Sequence, residues 1–454
     1  MIYLADGHFY VNRQFQWGAL QLDGPRIGAF QPLNPDVRFE PPLWDPSAKT
    51  MRLGGKYVLP GLLDVHVHFR DMDQKEKETI ETGSRAALHG GVTTVVNMPN
   101  TRPPATMPDV VAAWQILALK NCYVNVAFLS GVPPLSRRAA LSELVEKPIK
   151  GFKVYLHAPL QPENAWHRPE ILRKFLTFTE GANQLVCFHA DTFQPEAVRK
   201  QRYENAILGG KAELEAFDET HPEQEEIEAI KYILQEYQNL GNTHPIHFCH
   251  ISSPAAIEIL LEAKGKGLNV SWEVTPHHMF LCTNDTPSQA SFAKVLAPLR
   301  SEHSRDEILH HVKEGNVPII ATDHAPHTLK EKGQDFFKTP AGIPGVELLG
   351  PLLLTEIFEG RLPERILDCV TSNPAGRFNF ANKGRISSGF DADIAIFEKV
   401  DSYPIVSSSF LSNAKFSPYE NCPLRARVTE VFLGGELVLY QGNERQGPSG
   451  TLIS

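Results

Sequence analysis

Eight brief apolar runs recur between residues 57 and 327, and this rhythm restricts the fold more than any other feature of the chain. They read YVLPGLLDVHVH, GVTTVVNMP, YVNVAFLSG, IKGFKVYL, QLVCFHA, PIHFCHIS, NVSWEVTP and VPIIATDHAPH. Short, nearly unbroken apolar runs fit strands buried on both faces, as in a parallel sheet. Helical stretches such as KETIETGSRAALHG and PEQEEIEAIKYILQEYQNL fall between them, and the alternation predicts successive β/α units. Eight units within about 300 residues match a closed barrel, for which about 250 residues is usual before insertions. The expected fold is α/β, a (β/α)8 TIM barrel.

The two ends of the chain have a different texture. Residues 1–55 read as short alternating strands with Gly, Asn and Pro turns, and so do GRISSGFDADIAIFEK and RVTEVFLGGELVLY near the other end. Both ends therefore look like β structure flanking the barrel. The formal net charge of -9 and the lack of a Lys/Arg-rich run argue against a nucleic-acid or anionic-membrane surface, so a small-molecule partner is expected. No apolar stretch reaches the length of a membrane span, and MIYLADGHFYVNRQFQW lacks a basic region followed by a long apolar one. The six cysteines are scattered without a C-x-x-C pair, which suits a reducing compartment. A cytoplasmic protein is expected.

Polar residues end almost every run. His66 and His68, Asn97 and Asn100, Lys153, His189, His250, Glu273 and Asp323 stand at or just past successive strand ends, which in a barrel converge on the face where active sites are built. Residues i and i+2 of a strand point the same way, so the H-x-H pair His66 and His68 can present two imidazoles to one ion. His189 and His250 offer further nitrogens and Asp323 an oxygen, a donor set that suits zinc better than magnesium or calcium. Lys153 has two readings. It is either a snorkelling or salt-bridged lysine, or an amine made neutral by burial and metal charge, which captures carbon dioxide as a carbamate and bridges two metals.

Arg70 follows the H-x-H pair directly, which places a cation beside candidate metal ligands. Such a guanidinium needs an anion of its own. The candidates are Asp71 or Asp73 on the same loop, and a carboxylate on the substrate, which a guanidinium fork grips with two parallel hydrogen bonds.

Taken in order, DVHVHFRD, NMPNTRPP, GFKVYL, FHAD, HFCHIS, EVTPHHMFL and ATDHAPHTLKEK resemble the amidohydrolase superfamily and, within it, the dihydroorotases, over residues 55–390. GRISSGFDADIAIFE resembles the family's return strand into a small β-sandwich. The resemblance implies a β-sandwich built from 1–55 plus 384–454 and a metal-dependent barrel from 56–383. It implies two zinc ions, one held by His66, His68 and Asp323 and the other by His189 and His250, bridged by N6-carboxylated Lys153 and a hydroxide. Arg70, Asn100 and His327 would hold the carboxylate of dihydroorotate, and Ala341 and Gly342 would meet its ring through their backbone. Asp323 would shuttle the proton as hydroxide opens the ring to N-carbamoyl-L-aspartate, a step of pyrimidine biosynthesis. Glu273 and His278 match positions that support the site or a further metal. A homodimer is compatible with the sequence. Two departures stand out: DMD at 71–73, where the family often has Glu-Pro-Gly, and YLHAPLQPENAW after Lys153. A hydantoinase- or allantoinase-like cyclic amidase and a non-catalytic scaffold are the rival readings, and Arg70 with a complete ligand set speaks against both.

Overall fold

The computed structural model describes residues 1–41, 48–285 and 287–453. Each of the eight apolar runs contributes one barrel strand: β1 (Leu62–Val67), β2 (Val92–Asn97), β3 (Asn125–Phe128), β4 (Phe152–Tyr155), β5 (Val186–His189), β6 (Ile246–Phe248), β7 (Val270–Val274) and β8 (Ile319–Ile320). Every residue of β1 and β2 is buried, the signature of parallel strands covered on both faces. Neighbours pair in parallel from β1 to β3 and from β4 to β8. Ser130–Gly131, just past β3, pairs with β4. The ring closes where Val67 bridges His324, with His68 N donating to His324 O at 2.8 Å.

Leu63, Val65, Val96, Ala127, Cys187 and Ile319 pack together in one cluster, while Phe128, Phe152, Phe188, Phe248 and Trp272 pack in another with helix residues such as Trp114 and Phe175. This is the two-layer burial that a barrel requires. The β1/β2 register shifts between Asp64 and Val67. An irregularity at that point re-aims side chains at a strand end, here the H-x-H pair.

The strands of the chain ends form one nine-stranded sheet. Ile394–Pro404 runs antiparallel to Tyr57–Pro60, which runs parallel to Ile2–Val11, so the two ends meet at this seam, and again where Ile27 N donates to Phe390 O at 2.8 Å. Leu4, Phe9, Leu20, Val58, Ile394 and Phe432 share its core. Two expected boundaries shift. The run YVLPGLLDVHVH is two strands, because its first four residues pair in the end sheet, past residue 55 and inside the 56–383 segment. The chain passes between them at Gly61, where a Cβ would lie 2.1 Å from Thr93 Oγ1, so only glycine fits. In the 384–454 segment, Thr451 and Ile453 leave the sheet and bond to the barrel: Val126 N donates to Thr451 O at 2.8 Å and Ile453 N to Val126 O at 3.0 Å. The tail thereby satisfies backbone groups on β3 that no neighbouring strand reaches. Among the described residues, no helix is long and apolar enough to cross a membrane.

Candidate active site

The C-terminal ends of the strands surround a cavity of about 210 Å³. His66, His68, Arg70, Asn100, His189, His250, Asp323, Ala341 and Gly342 all border it. Lys153 and Glu273 are buried behind these residues, His327 touches Arg70, and His278 faces elsewhere.

At the centre, His66 Nε2 and His68 Nε2 lie 3.2 and 2.9 Å from Asp323 Oδ1. Their opposite nitrogens are occupied: His66 Nδ1 is hydrogen bonded to Glu273, and His68 Nδ1 donates to Asn100 Oδ1 at 2.6 Å. Burial brings His68 down to about 4, so its ring is neutral. With the protons on Nδ1, both Nε2 atoms turn lone pairs toward a carboxylate oxygen. Three acceptors facing one another without a proton between them call for a cation, and the donor set fits a metal ion of the zinc type. Burial pushes the Asp323 carboxyl up, yet the group is held well below the usual carboxylate range and stays ionised. Glu273 is held low in the same way by His66 and His247, the second of which donates from Nε2 to Glu273 Oε2 at 2.9 Å. A carboxylate behind a ligating imidazole fixes its tautomer and orientation.

Lys153 is 1% exposed, and its Nζ donates to Cys249 Sγ at 2.7 Å. Burial draws its ammonium down, yet Cys249 and Glu273 more than offset this and hold it above the ordinary value. Burial alone therefore does not make this amine neutral. The His189 ring stands 4.4 Å from that of His250, which stands 5.3 Å from that of His66. Burial keeps both His189 and His250 far below the normal imidazole range, hence neutral.

Arg70 is 7% exposed, and among the described residues no carboxylate lies within 4.0 Å of its guanidinium. The expected local alternatives do not serve it. Asp71 spends its oxygens on the backbone, accepting Met72 N at 2.8 Å and Ile80 N at 2.9 Å, and so anchors the loop to the helix Ile80–His89. The contact of Arg70 Nη2 with His327 Nε2, at 3.4 Å, joins two donors, because that His327 nitrogen donates to Ala341 O at 3.1 Å. Its Nδ1 lies 3.4 Å from Lys77 Nζ and accepts from it, and burial holds the ring neutral at about 3. Among the described residues, Arg70 Nε has no hydrogen-bond partner. An enclosed cation with free hydrogens is costly unless a ligand supplies the anion.

Gly342 has φ +149, and a Cβ there would lie 2.4 Å from Ala325 O. Its N–H donates to Lys294 O at 2.9 Å, which pins the loop against the cavity. Gly342→Ala is expected to displace this loop, and strain of about 1–3 kcal/mol converts to a KM increase of roughly 5- to 150-fold. Metal content measured alongside should not change. Arg70, His250 and Asp323 adopt φ of +46, +36 and +46, a left-handed geometry that non-glycine residues seldom take outside functional sites.

His278 does not face the donor cluster. It bonds to Thr275 Oγ1 through Nδ1 at 2.9 Å, and to Ala297 O and Pro298 O through Nε2 at 3.1 and 3.2 Å. It thereby braces the segment whose Val295 and Leu296 wall the cavity. Two polar cavity residues were not singled out from the sequence, Tyr155 and His157. Tyr155 carried an available signal, since it lies two residues past Lys153 on the same face of β4. His157 lies beyond the strand end, where spacing says nothing.

The amidohydrolase family profile matches residues 57–438. The dihydroorotase of Methanosphaera stadtmanae is 35% identical over 373 residues, covering 80% of this chain and 81% of the relative. That of Pyrococcus abyssi is 34% identical over 408 residues, covering 88% and 87%. Among solved structures, the L-hydantoinase of Arthrobacter aurescens superposes with a TM-score of 0.89 at 24% identity, over 100% of this chain and 99% of that one. The D-hydantoinase of a Thermus species gives 0.85 at 22%, over 100% and 98%. These two likenesses speak for the fold. The chain is an amidohydrolase, a member of the class of metal-dependent hydrolases that this barrel, end sheet and buried donor cluster define. Within that class it belongs to the dihydroorotases, hydrolases that act on cyclic amides.

Proposed function

We propose that the chain reversibly hydrolyses the cyclic amide of (S)-dihydroorotate to N-carbamoyl-L-aspartate, as a cytoplasmic step of pyrimidine biosynthesis. The observation that carries the choice of substrate is Arg70, an enclosed guanidinium without a carboxylate partner among the described residues, on the wall of the cavity that holds the metal donors. A ring bearing a carboxylate completes it, whereas an uncharged cyclic amide leaves it unpaired. In this reading His66, His68, Lys153, His189, His250 and Asp323 would hold two zinc ions, with Lys153 carboxylated. Bound there, the metals supply positive charge for the carbonyl oxygen and an activated water at neutral pH.

The chain's own residues do the rest. Arg70 and Asn100 grip the substrate carboxylate, with His327 holding the Ala341 carbonyl in place beside them. The backbone of Ala341 and Gly342 positions the ring. As water oxygen bonds to the amide carbon, Asp323 accepts its proton and passes it to the ring nitrogen when the carbon–nitrogen bond breaks. Glu273 keeps His66 in one tautomer throughout.

Ring opening is tested directly by the loss of amide absorbance from dihydroorotate. Turnover should stop on chelation and return with zinc. Protein that contains two zinc ions and leaves dihydroorotate untouched would overturn the substrate, and protein that holds no metal would point to a scaffold. The proton role has its own signature. Ring opening needs Asp323 ionised and ring closure needs it protonated, so hydrolysis should gain with rising pH and cyclisation with falling pH. Superimposable forward and reverse pH profiles would remove Asp323 from the proton path.

A further inference from the structure

The stretch TLKEKGQDFFK has the composition of a solvated loop, and Lys330 in it is exposed, yet Lys332 is 0% exposed and Lys294 is 4% exposed. Lysines are almost never so buried unless paired. Here the partners are backbone carbonyls. Lys294 Nζ donates to Phe336 O, Phe337 O and Thr339 O at 2.8, 2.9 and 2.7 Å. Lys332 Nζ donates to Ser291 O and Pro340 O at 2.9 and 3.0 Å, with Lys294 O further off at 3.4 Å. Each ammonium thus turns its three hydrogens to three oxygens. Burial draws both lysines below the usual ammonium value, Lys294 to about 8. A neutral amine has only two hydrogens for three carbonyls, and the rings of Phe217 and Phe336, centred 4.7 and 5.1 Å from Lys294 Nζ, favour the cation as well.

The two cages are reciprocal. Lys294 reaches forward to the turn at 336–339, while Lys332, at the end of the helix Leu329–Lys332, reaches back to Ser291 and across to Pro340. Ser291 Oγ donates to Lys332 O at 2.7 Å, and Gly342 N donates to Lys294 O at 2.9 Å. Both stretches of chain then run directly into the cavity wall: Val295 and Leu296 follow Lys294, and Ala341 and Gly342 follow Pro340. Neither lysine borders the cavity itself.

We infer that Lys294 and Lys332 are positioning residues for the substrate, two buried ammonium groups that pin the 334–342 loop to the 291–297 segment and so set where the backbone of Ala341 and Gly342 meets the ring. The part played by Ala341 and Gly342 rests on the proposed function; the pin itself does not. A cage of this kind suits an irregular loop, whose inward carbonyls have no strand to pair with, because one cation satisfies three of them through charge-assisted bonds.

The test compares the full chain with Lys294→Met and Lys332→Met, which keep the apolar stem and remove the ammonium. Hydrogen exchange, read by mass spectrometry on the 334–342 segment, needs no substrate. The amides of Thr339 and Gly342, which donate to Asp335 O at 3.0 Å and to Lys294 O at 2.9 Å, should exchange faster by about tenfold or more, the least that losing a hydrogen bond to a charged group is worth. KM for dihydroorotate should rise by about tenfold or more on the same grounds, with kcat and metal content near wild type, because the metal donors and Asp323 are untouched. Lys294→Gln, which keeps two donors, replaces the methionine variants if they do not fold, and should move both readings in the same direction. Unchanged exchange in folded variants would overturn the pin. Faster exchange with an unchanged KM, or with metal and kcat lost together, would overturn the positioning role. Wild type that leaves dihydroorotate untouched would overturn the proposed substrate, and exchange would still decide the pin.

Discussion

Asp323→Asn is expected to lower kcat in both directions by about 100- to 10,000-fold, the span associated with losing a positioned acid–base group. Asparagine keeps the size of the side chain and one oxygen beside His66 and His68, so binding of dihydroorotate should change little. What it removes is the capacity to take a proton from water and return it to nitrogen. The effect should therefore appear in single-turnover rates rather than in KM, and the pH dependence of the residual rate should flatten. Because Asp323 also belongs to the proposed metal set, metal content must be measured on the same sample. A variant that holds both metals and turns over within tenfold of wild type would show that another group moves the proton.

Arg70→Met carries the second large effect, on binding. Truncating one side of a buried charge pair costs about 2–5 kcal/mol, so KM for dihydroorotate should rise roughly 30- to 4,000-fold. A cyclic amide of the same ring without the carboxylate should bind no worse than before. Methionine replaces the apolar stem and leaves the metal donors untouched, so metal content should hold. Thermal stability of the ligand-free protein should not fall, since the substitution removes an enclosed cation that has no carboxylate beside it among the described residues. An unchanged KM would place the substrate carboxylate elsewhere.

The parts of this site that are legible in the sequence are those where strand periodicity does the pointing. His66 and His68 share a strand face, and Lys153, His189 and His250 end apolar runs, so one rule about strand ends gathers them into one cavity. The rule fails where the chain has left the strand. His157 is a single histidine in a loop, and nothing in YLHAPLQ tells which way its ring turns. Asp71 sits next to Arg70 in sequence, but three consecutive residues with positive φ, from Arg70 to Met72, swing its carboxylate onto the backbone of the following helix. Adjacency in sequence is a poor guide to pairing through such a turn. His278 lies on the short helix Pro276–Phe280, which Thr275 caps and which aims the ring at carbonyls, a direction that strand periodicity does not give. The barrel was readable for a simpler reason, that buried parallel strands must be apolar throughout. Their boundaries were not, because YVLP and LLDVHV read as one continuous run while their backbones pair in different sheets.

The seam between Tyr57–Pro60 and Ile394–Pro404 bears on how the molecule is made. A ribosome adding about 5–20 residues per second delivers the second strand roughly 20–70 s after the first. Until then, the edge of the early hairpins that the late strand will cover stays open, with unpaired amides able to recruit another chain. The barrel segment emerges in the interval and can collapse around its own helices. Residues 451–453, which bond to β3, follow later still. Premature termination anywhere past the barrel should thus yield a chain with a nearly complete catalytic face and a sticky, half-built sheet, prone to aggregate before its chemistry can be of use.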